Sequence, residues 1–237
     1  MLVERIDIMN IVDILNTNQA YFEDFVTRAT YHSNALEGST LTRNETYALT
    51  FDSNHCMVNA NAKEIHQAIN HKKAMMEMIN RINAGAPLNH EYMTKMNSII
   101  NENIMFGGAY REDSAHLDNS IKVLPGPDEI EEFLNKFIDR FNDLVANGFT
   151  MEDVADMHIR FENIHPFSDG NGRTGRILIN SMLIRGNQAP IVIPLEMRND
   201  YIKALETNNV KGMAEMFRAL QDRENERIEN FTGFEEE

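Results

Sequence analysis

Between His165 and Arg176 the chain reads His-Pro-Phe-Ser-Asp-Gly-Asn-Gly-Arg-Thr-Gly-Arg. This segment joins two helical patterns, one ending near Asn163 and one running from Arg173 to Leu183. Free backbone N–H groups at the start of the second helix, with Gly170 and Gly172 permitting close approach, form an anion cradle. Arg173 and Arg176 are three apart, so they project from one face of that helix. Two arginines above a cradle suit a polyphosphate better than a single carboxylate, because each can fork onto a different phosphate. They also oppose the helix dipole, which a bound anion would compensate. Asp169 is a hard oxygen ligand of the kind that holds nucleotide-bound Mg²⁺. His165 is the one side chain here able to act as a base near neutral pH. Base, metal ligand, anion hole and phosphate clamp together point to transfer from a nucleoside triphosphate.

Not every residue of the segment needs a chemical role. Pro166 and Phe167 read as a turn and an aromatic anchor. Gly175 lies inside the helix, where glycine costs roughly 1 kcal/mol relative to alanine, so close packing or function must compensate. The other seven histidines, His158 included, stand in no comparable context.

The elements that must position this loop are helical almost throughout. Phe22, Phe25, Val26, Ala29 and Leu36 mark one stripe, broken at Glu37-Gly38. Thr42 with Glu45 reads as a capping box opening a short helix through about Asp52. Ala62, Ile65, Ile69, Met76, Ile79 and Ile82 predict a long helix stopping near Gly85 and Pro87, and Tyr92, Met93, Met96, Ile99 and Ile100 predict another. Ile130, Phe133, Leu134, Phe137, Ile138, Phe141, Leu144 and Val145 give the cleanest stripe, with Pro127 before it and Gly148 after it. A further helix opens at the Thr150/Asp153 capping box. The helix from Arg173 is apolar nearly all round, which predicts a buried central element. Phe106 to Pro125 has no helical stripe and reads as a small hairpin. The expected architecture is all-α, with N-terminal helices over 1–90, a core over 91–207, and a C-terminal helix and acidic tail over 208–237.

Composition agrees with a globular chain: of 237 residues, 42% are hydrophobic and 25% charged, which excludes a disordered tail or a membrane bundle. The net charge of −15 repels the phosphates of nucleic acids and anionic lipids, so neither is an expected partner. Cys56 is the single cysteine; it can form no internal disulfide and suits a reducing compartment. Glu4, Arg5, Asp7 and Asp13 interrupt the apolar N-terminus, so no signal-peptide core is expected there and the cytoplasm is the default location.

The segment resembles, at every fixed position, the Fic family signature HPFx(D/E)GNGRxxR. The resemblance implies a Fic-fold helical domain with a β-hairpin flap beside the active-site loop, and a protein adenylyltransferase that moves AMP from ATP onto a Ser, Thr or Tyr hydroxyl. By position, His165 would deprotonate the target hydroxyl and Asp169 would hold Mg²⁺ between the α- and β-phosphates. Gly170, Asn171 and Gly172 would form the anion hole, with Asn171 on the α-phosphate. Arg173 would grip the β-phosphate and Arg176 the γ-phosphate.

Three further stretches extend the likeness. Gly108-Ala109-Tyr110-Arg111 with Ile121-Lys122-Val123 is similar to the family's flap, which would hold an unknown target protein over residues 108–123 by strand addition; an ordinary surface loop is the alternative. Arg198-Asn199-Asp200-Tyr201-Ile202-Lys203-Ala204-Leu205 resembles the RxxYxxAL stretch, which would lay Tyr201 against the adenine; a core tyrosine competes. Ser33-Asn34-Ala35-Leu36-Glu37-Gly38 fits the inhibitory motif (S/T)xxxE(G/N), which implies a class II protein restrained by its own Glu37. Ser33 and Glu37 share a helix face, and Gly38 can end the helix beyond. Alternatives are removal of AMP from a modified protein, with Glu37 activating water, and a nucleotide-binding regulator with little turnover. Oligomeric state stays open, a homo-oligomer included.

Overall fold

A computed structural model describes residues 10–52, 58–114 and 123–233. The sequence readings of the first nine residues and of Cys56 lie outside these residues. Every regular element described is helical: α1 (Ile11–Thr17), α2 (Gln19–Leu36), α3 (Arg43–Phe51), α4 (Ala62–Asn83), α5 (His90–Ile100), α6 (Ile130–Asn147), α7 (Met151–Ile164), α8 (Asn171–Arg185), α9 (Arg198–Glu206) and α10 (Val210–Thr232). The Thr42/Glu45 and Thr150/Asp153 capping boxes both form, each side chain accepting from the partner residue's backbone N–H.

Helix α8 is the axis of the fold. It packs against α1, α2, α4, α5, α6 and α7, and all its residues but Gly172 and Arg185 are buried. It begins two residues earlier than its apolar pattern suggests. Gly170 takes a left-handed conformation (φ 84°) that closes the loop, so Asn171 and Gly172 already belong to the first turn. Gly175 finds its explanation in packing: a Cβ there would collide with Glu162 Oε1 and press on Phe161 and His158 of α7.

The N-terminal helices share the same apolar cluster, which runs from Ile11 through α8 to Ile228. Polar ties fix α2 more specifically. Arg28 donates from Nη1 and Nη2 to both carboxylate oxygens of Glu224 on α10, at 2.9 and 2.7 Å, and Tyr21 Oη donates to the same carboxylate. A buried pair of this kind fixes orientation more than it adds stability. Its effect is to place the C-terminal tip of α2, with Ser33 and Glu37, beside the start of α8.

The expected hairpin over 106–125 is not seen: the described residues contain no strand, and 115–122 lie outside them. Gly108 N–H goes to Asn97 Oδ1 and Arg111 N–H to the Pro166 carbonyl, so both are committed to neighbouring segments rather than to a ladder.

Candidate active site

Helix α7 delivers His165. The residue is its C-cap and adopts a left-handed conformation (φ 48°, ψ 58°), uncommon for a side-chain-bearing residue. Burial lowers the imidazole pKa, and the Arg111 charge lowers it further, so the ring is neutral at pH 7. Its Nδ1 has no partner.

The loop that follows is held from within and from outside. Asn171 is buried, and its amide accepts from Phe167 N–H (2.9 Å) and donates to Phe167 O (2.7 Å). This side chain therefore braces the loop, a task the sequence reading did not assign to it. From outside, Asn97 of α5 and Asn101 at its C-cap donate to the Asp169 carbonyl at 2.8 and 3.2 Å. The same two amides would crowd a Cβ on Gly170. Sequence reasoning missed both asparagines; their i,i+4 spacing at the end of α5, beside the apolar Met96 and Ile100, was the available signal.

At the start of α8 the first intrahelical bond is Thr174 N–H to Gly170 O at 2.9 Å. The N–H groups of Asn171, Gly172 and Arg173 precede it and have no acceptor within the helix. Arg173 is 2% exposed and donates one bond, to Asp169 Oδ1 at 3.1 Å. Its Nε and Nη1 are buried without a partner. Asp169 keeps 38% of its side chain exposed, and one open carboxylate fits a Mg²⁺ that arrives bound mainly to phosphates.

Arg176 is bonded through all three nitrogens instead. Nε donates to Ser33 Oγ (2.9 Å), and Nη2 to Ser33 O (3.0 Å) and Glu37 Oε1 (2.7 Å). Nη1 reaches Tyr201 Oη at 3.5 Å. The Glu37 side chain is 38% exposed, yet its carboxylate lies over the cradle, since a Cβ on Gly172 would strike Oε1. Packing around this carboxylate raises its pKa, but Arg176, then Arg173 and Arg198, outweigh that and leave it below the usual 4.5.

Tyr201 corrects the adenine assignment. It is 1% exposed, its hydroxyl lies 2.7 Å from His158 Nε2, and its ring stacks on that imidazole. A ring so enclosed offers no face to a base and serves as the floor beneath Arg176. Burial, helped by Arg176, lowers the His158 pKa to about 3, and burial raises that of nearby Glu162 to about 7. Open apolar surface lies elsewhere, in a groove of about 620 Å³ bordered by Leu124, Pro125, Phe133, Phe137 and Ile164. Phe133, counted in the α6 stripe, turns outward into this groove and is 41% exposed.

Comparison with known proteins agrees with this geometry. Residues 87–183 match the Fic/DOC family model. It is 26% identical over 213 residues to the protein adenylyltransferase Fic of Drosophila willistoni, covering 86% of this chain and 40% of that protein. The Nematostella vectensis protein of the same name is 29% identical over 201 residues, with 81% and 44% covered. The chain thus spans about two-fifths of the length of these curated relatives. A Fic domain containing signaling protein from Bacteroides thetaiotaomicron superposes with a TM-score of 0.82 at 24% identity, covering 92% of each chain. No helix among the described residues is long and apolar enough to cross a membrane.

Proposed function

We propose that this chain transfers AMP from ATP to a hydroxyl of a target protein and of itself, and that Glu37 restrains the reaction. The observation that carries the reading is Arg173, whose buried, unpartnered Nε and Nη1 lie beside three N–H groups without intrahelical acceptors. Buried donors of this kind need an anionic acceptor, and a polyphosphate supplies several. The name shared by the curated relatives, protein adenylyltransferase, supports ATP as that nucleotide.

In this reading the β-phosphate binds Arg173 and the γ-phosphate binds Arg176. The base and ribose extend toward the groove bordered by Phe133 and Ile164, taking the role first assigned to Tyr201. Neutral His165 accepts the proton of the target hydroxyl. That oxygen bonds to the α-phosphorus, the bond from α-phosphorus to the bridging oxygen breaks, and pyrophosphate leaves. Asp169 would hold Mg²⁺, which when bound neutralises charge on the phosphates. Residues 1–90 form a regulatory layer on the 91–207 core, and the target lies along 108–123.

The restraint is a competition for one guanidinium. Glu37 already occupies Arg176 and the space over Gly172, and two anions a few ångströms apart repel strongly. ATP entering beside Glu37 is left with its α-phosphate turned from in-line attack. The test is incorporation of labelled AMP by wild type, Glu37→Gly and Glu37→Gly/His165→Ala. The expected order is weak, strong, none. Equal labelling in all three would overturn the reading, and release of AMP from pre-modified protein by wild type would reassign Glu37 to water activation.

A further inference from the structure

Arg111 is 4% exposed, and no carboxylate among the described residues pairs with it. Its fork is spent on carbonyls of separate segments: Nε on His165 O (2.8 Å), Nη1 on Asp113 O (2.8 Å) and Nη2 on Pro125 O (2.5 Å). Its own backbone N–H adds a bond to Pro166 O at 2.9 Å. A cation buried without a counter-ion is costly. A glutamine carboxamide could reach two carbonyls with its two N–H donors, whereas the five-donor guanidinium spans three chain segments at once.

We infer that Arg111 is a positioning residue for His165, tying the backbone of the base to both roots of the segment that would carry the target. The tie falls at the His165 carbonyl, where the chain leaves α7 in a left-handed conformation that must be held by its surroundings. The same guanidinium has a second effect on the ring. Groups facing His165 are Arg111, which favours the neutral form, and Glu37, Asp169 and the Glu162 carbonyl, which favour the charged form. Burial sides with Arg111. Removing the guanidinium therefore loosens the base and also lets it bind a proton more readily.

This inference rests on His165 being the base. The experiment uses the full chain in the Glu37→Gly background, where turnover is readable and the Glu37 contribution is constant. Arg111→Gln, Arg111→Lys and His165→Ala are compared by auto-AMP transfer from pH 5 to 9, by ATP affinity, and by NMR titration of the His165 ring. Arg111→Gln should lower kcat roughly 10- to 100-fold, the range expected when a reacting group is misplaced by about an ångström. Its ATP affinity should stay at the parent value, and both its acid limb and the His165 titration should move to higher pH. Arg111→Lys keeps the charge and loses the fork, so its acid limb should stay in place while kcat falls partway. An unmoved titration and an unchanged kcat in Arg111→Gln would overturn the proposal. If Arg111→Gln does not fold, a Lys variant with parent kcat overturns it equally. Full activity in His165→Ala would instead remove the underlying reading of the base.

Discussion

Arg173 and Arg176 sit within one turn of each other on α8, are both buried, and are in opposite conditions. Arg173 has a partner four residues away and two guanidinium nitrogens with none. Arg176 has a partner 139 residues away and is bonded through all three nitrogens. One half of the clamp is open and the other is closed by the chain's own carboxylate. In the proposed reading, restraint does not require the nucleotide to be shut out. It requires only that the arginine proposed for the terminal phosphate be already taken.

The largest effect should come from outside the pair and calibrate it. His165→Ala is expected to lower transfer about 10²- to 10⁴-fold while ATP binding, carried by the arginines, stays near wild type. Calorimetry alongside a transfer assay checks both halves. A parallel loss of affinity would show that His165 holds phosphate, and the division between base and clamp would collapse.

Next is Glu37→Gly, which opens the closed half. Auto-transfer should rise on the order of 10²-fold, the cost of a misaligned phosphate. The pH dependence of the lock has a definite sign. The folded pKa of Glu37 lies below its ordinary 4.5, so the contact is complete above that value and weakens only as pH falls through the lower one. Wild type should therefore stay restrained across the neutral and mildly acidic range. Release on going from pH 7 to pH 5.5 would rule out the Glu37–Arg176 pair as the lock.

The arginines themselves should separate by background. Arg173→Ala is expected to weaken ATP binding roughly 10- to 100-fold in wild type and in Glu37→Gly alike, the loss of a charge-assisted hydrogen bond. Arg176→Ala should weaken it much less in wild type, where Glu37 holds the side chain, than in Glu37→Gly. A double-mutant cycle on ATP affinity measures this coupling. Additive losses would mean that ATP and Glu37 do not compete for Arg176.

The same contrast explains what the sequence could disclose. The Asp169–Arg173 pair is local, four apart on a loop and helix start, and the Asp-Gly-Asn-Gly-Arg pattern is legible by spacing. Helices α2 to α8 are legible too, because stripes and capping boxes are local. The Glu37–Arg176 pair is not local: Ser33 and Glu37 share a face by spacing, the resemblance to the inhibitory motif aims Glu37 at the clamp, and the fold, through Arg28 and Tyr21 on Glu224, holds that face there. Tyr201 went the other way, because spacing does not tell an exposed ring from a floor tyrosine. Asn97 and Asn101 escaped notice, and Arg111 was read only as part of the flap, because all three donate to backbone carbonyls and spacing does not say which carbonyls they meet. Helix α1 is too short to display a stripe.

The smallest effect tests whether the anion or the grip on its arginine holds the lock. Ser33→Ala deletes the acceptor of Arg176 Nε but leaves the Ser33 carbonyl and Glu37 Oε1 on Nη2. Helix α2 stays pinned to α10 through Glu224, so Glu37 should remain over Gly172. Losing one hydrogen bond of this class changes an equilibrium by about 0.5–1.5 kcal/mol, or roughly 2- to 10-fold. Ser33→Ala should thus raise auto-transfer by that modest factor, well short of Glu37→Gly. Glu37→Asp, which keeps the charge and shortens the reach, should fall between them. Measured side by side under one ATP and Mg²⁺ concentration, the three form a graded series. If Ser33→Ala instead matches Glu37→Gly, the restraint lies in how Arg176 is held, and the carboxylate over the cradle is incidental.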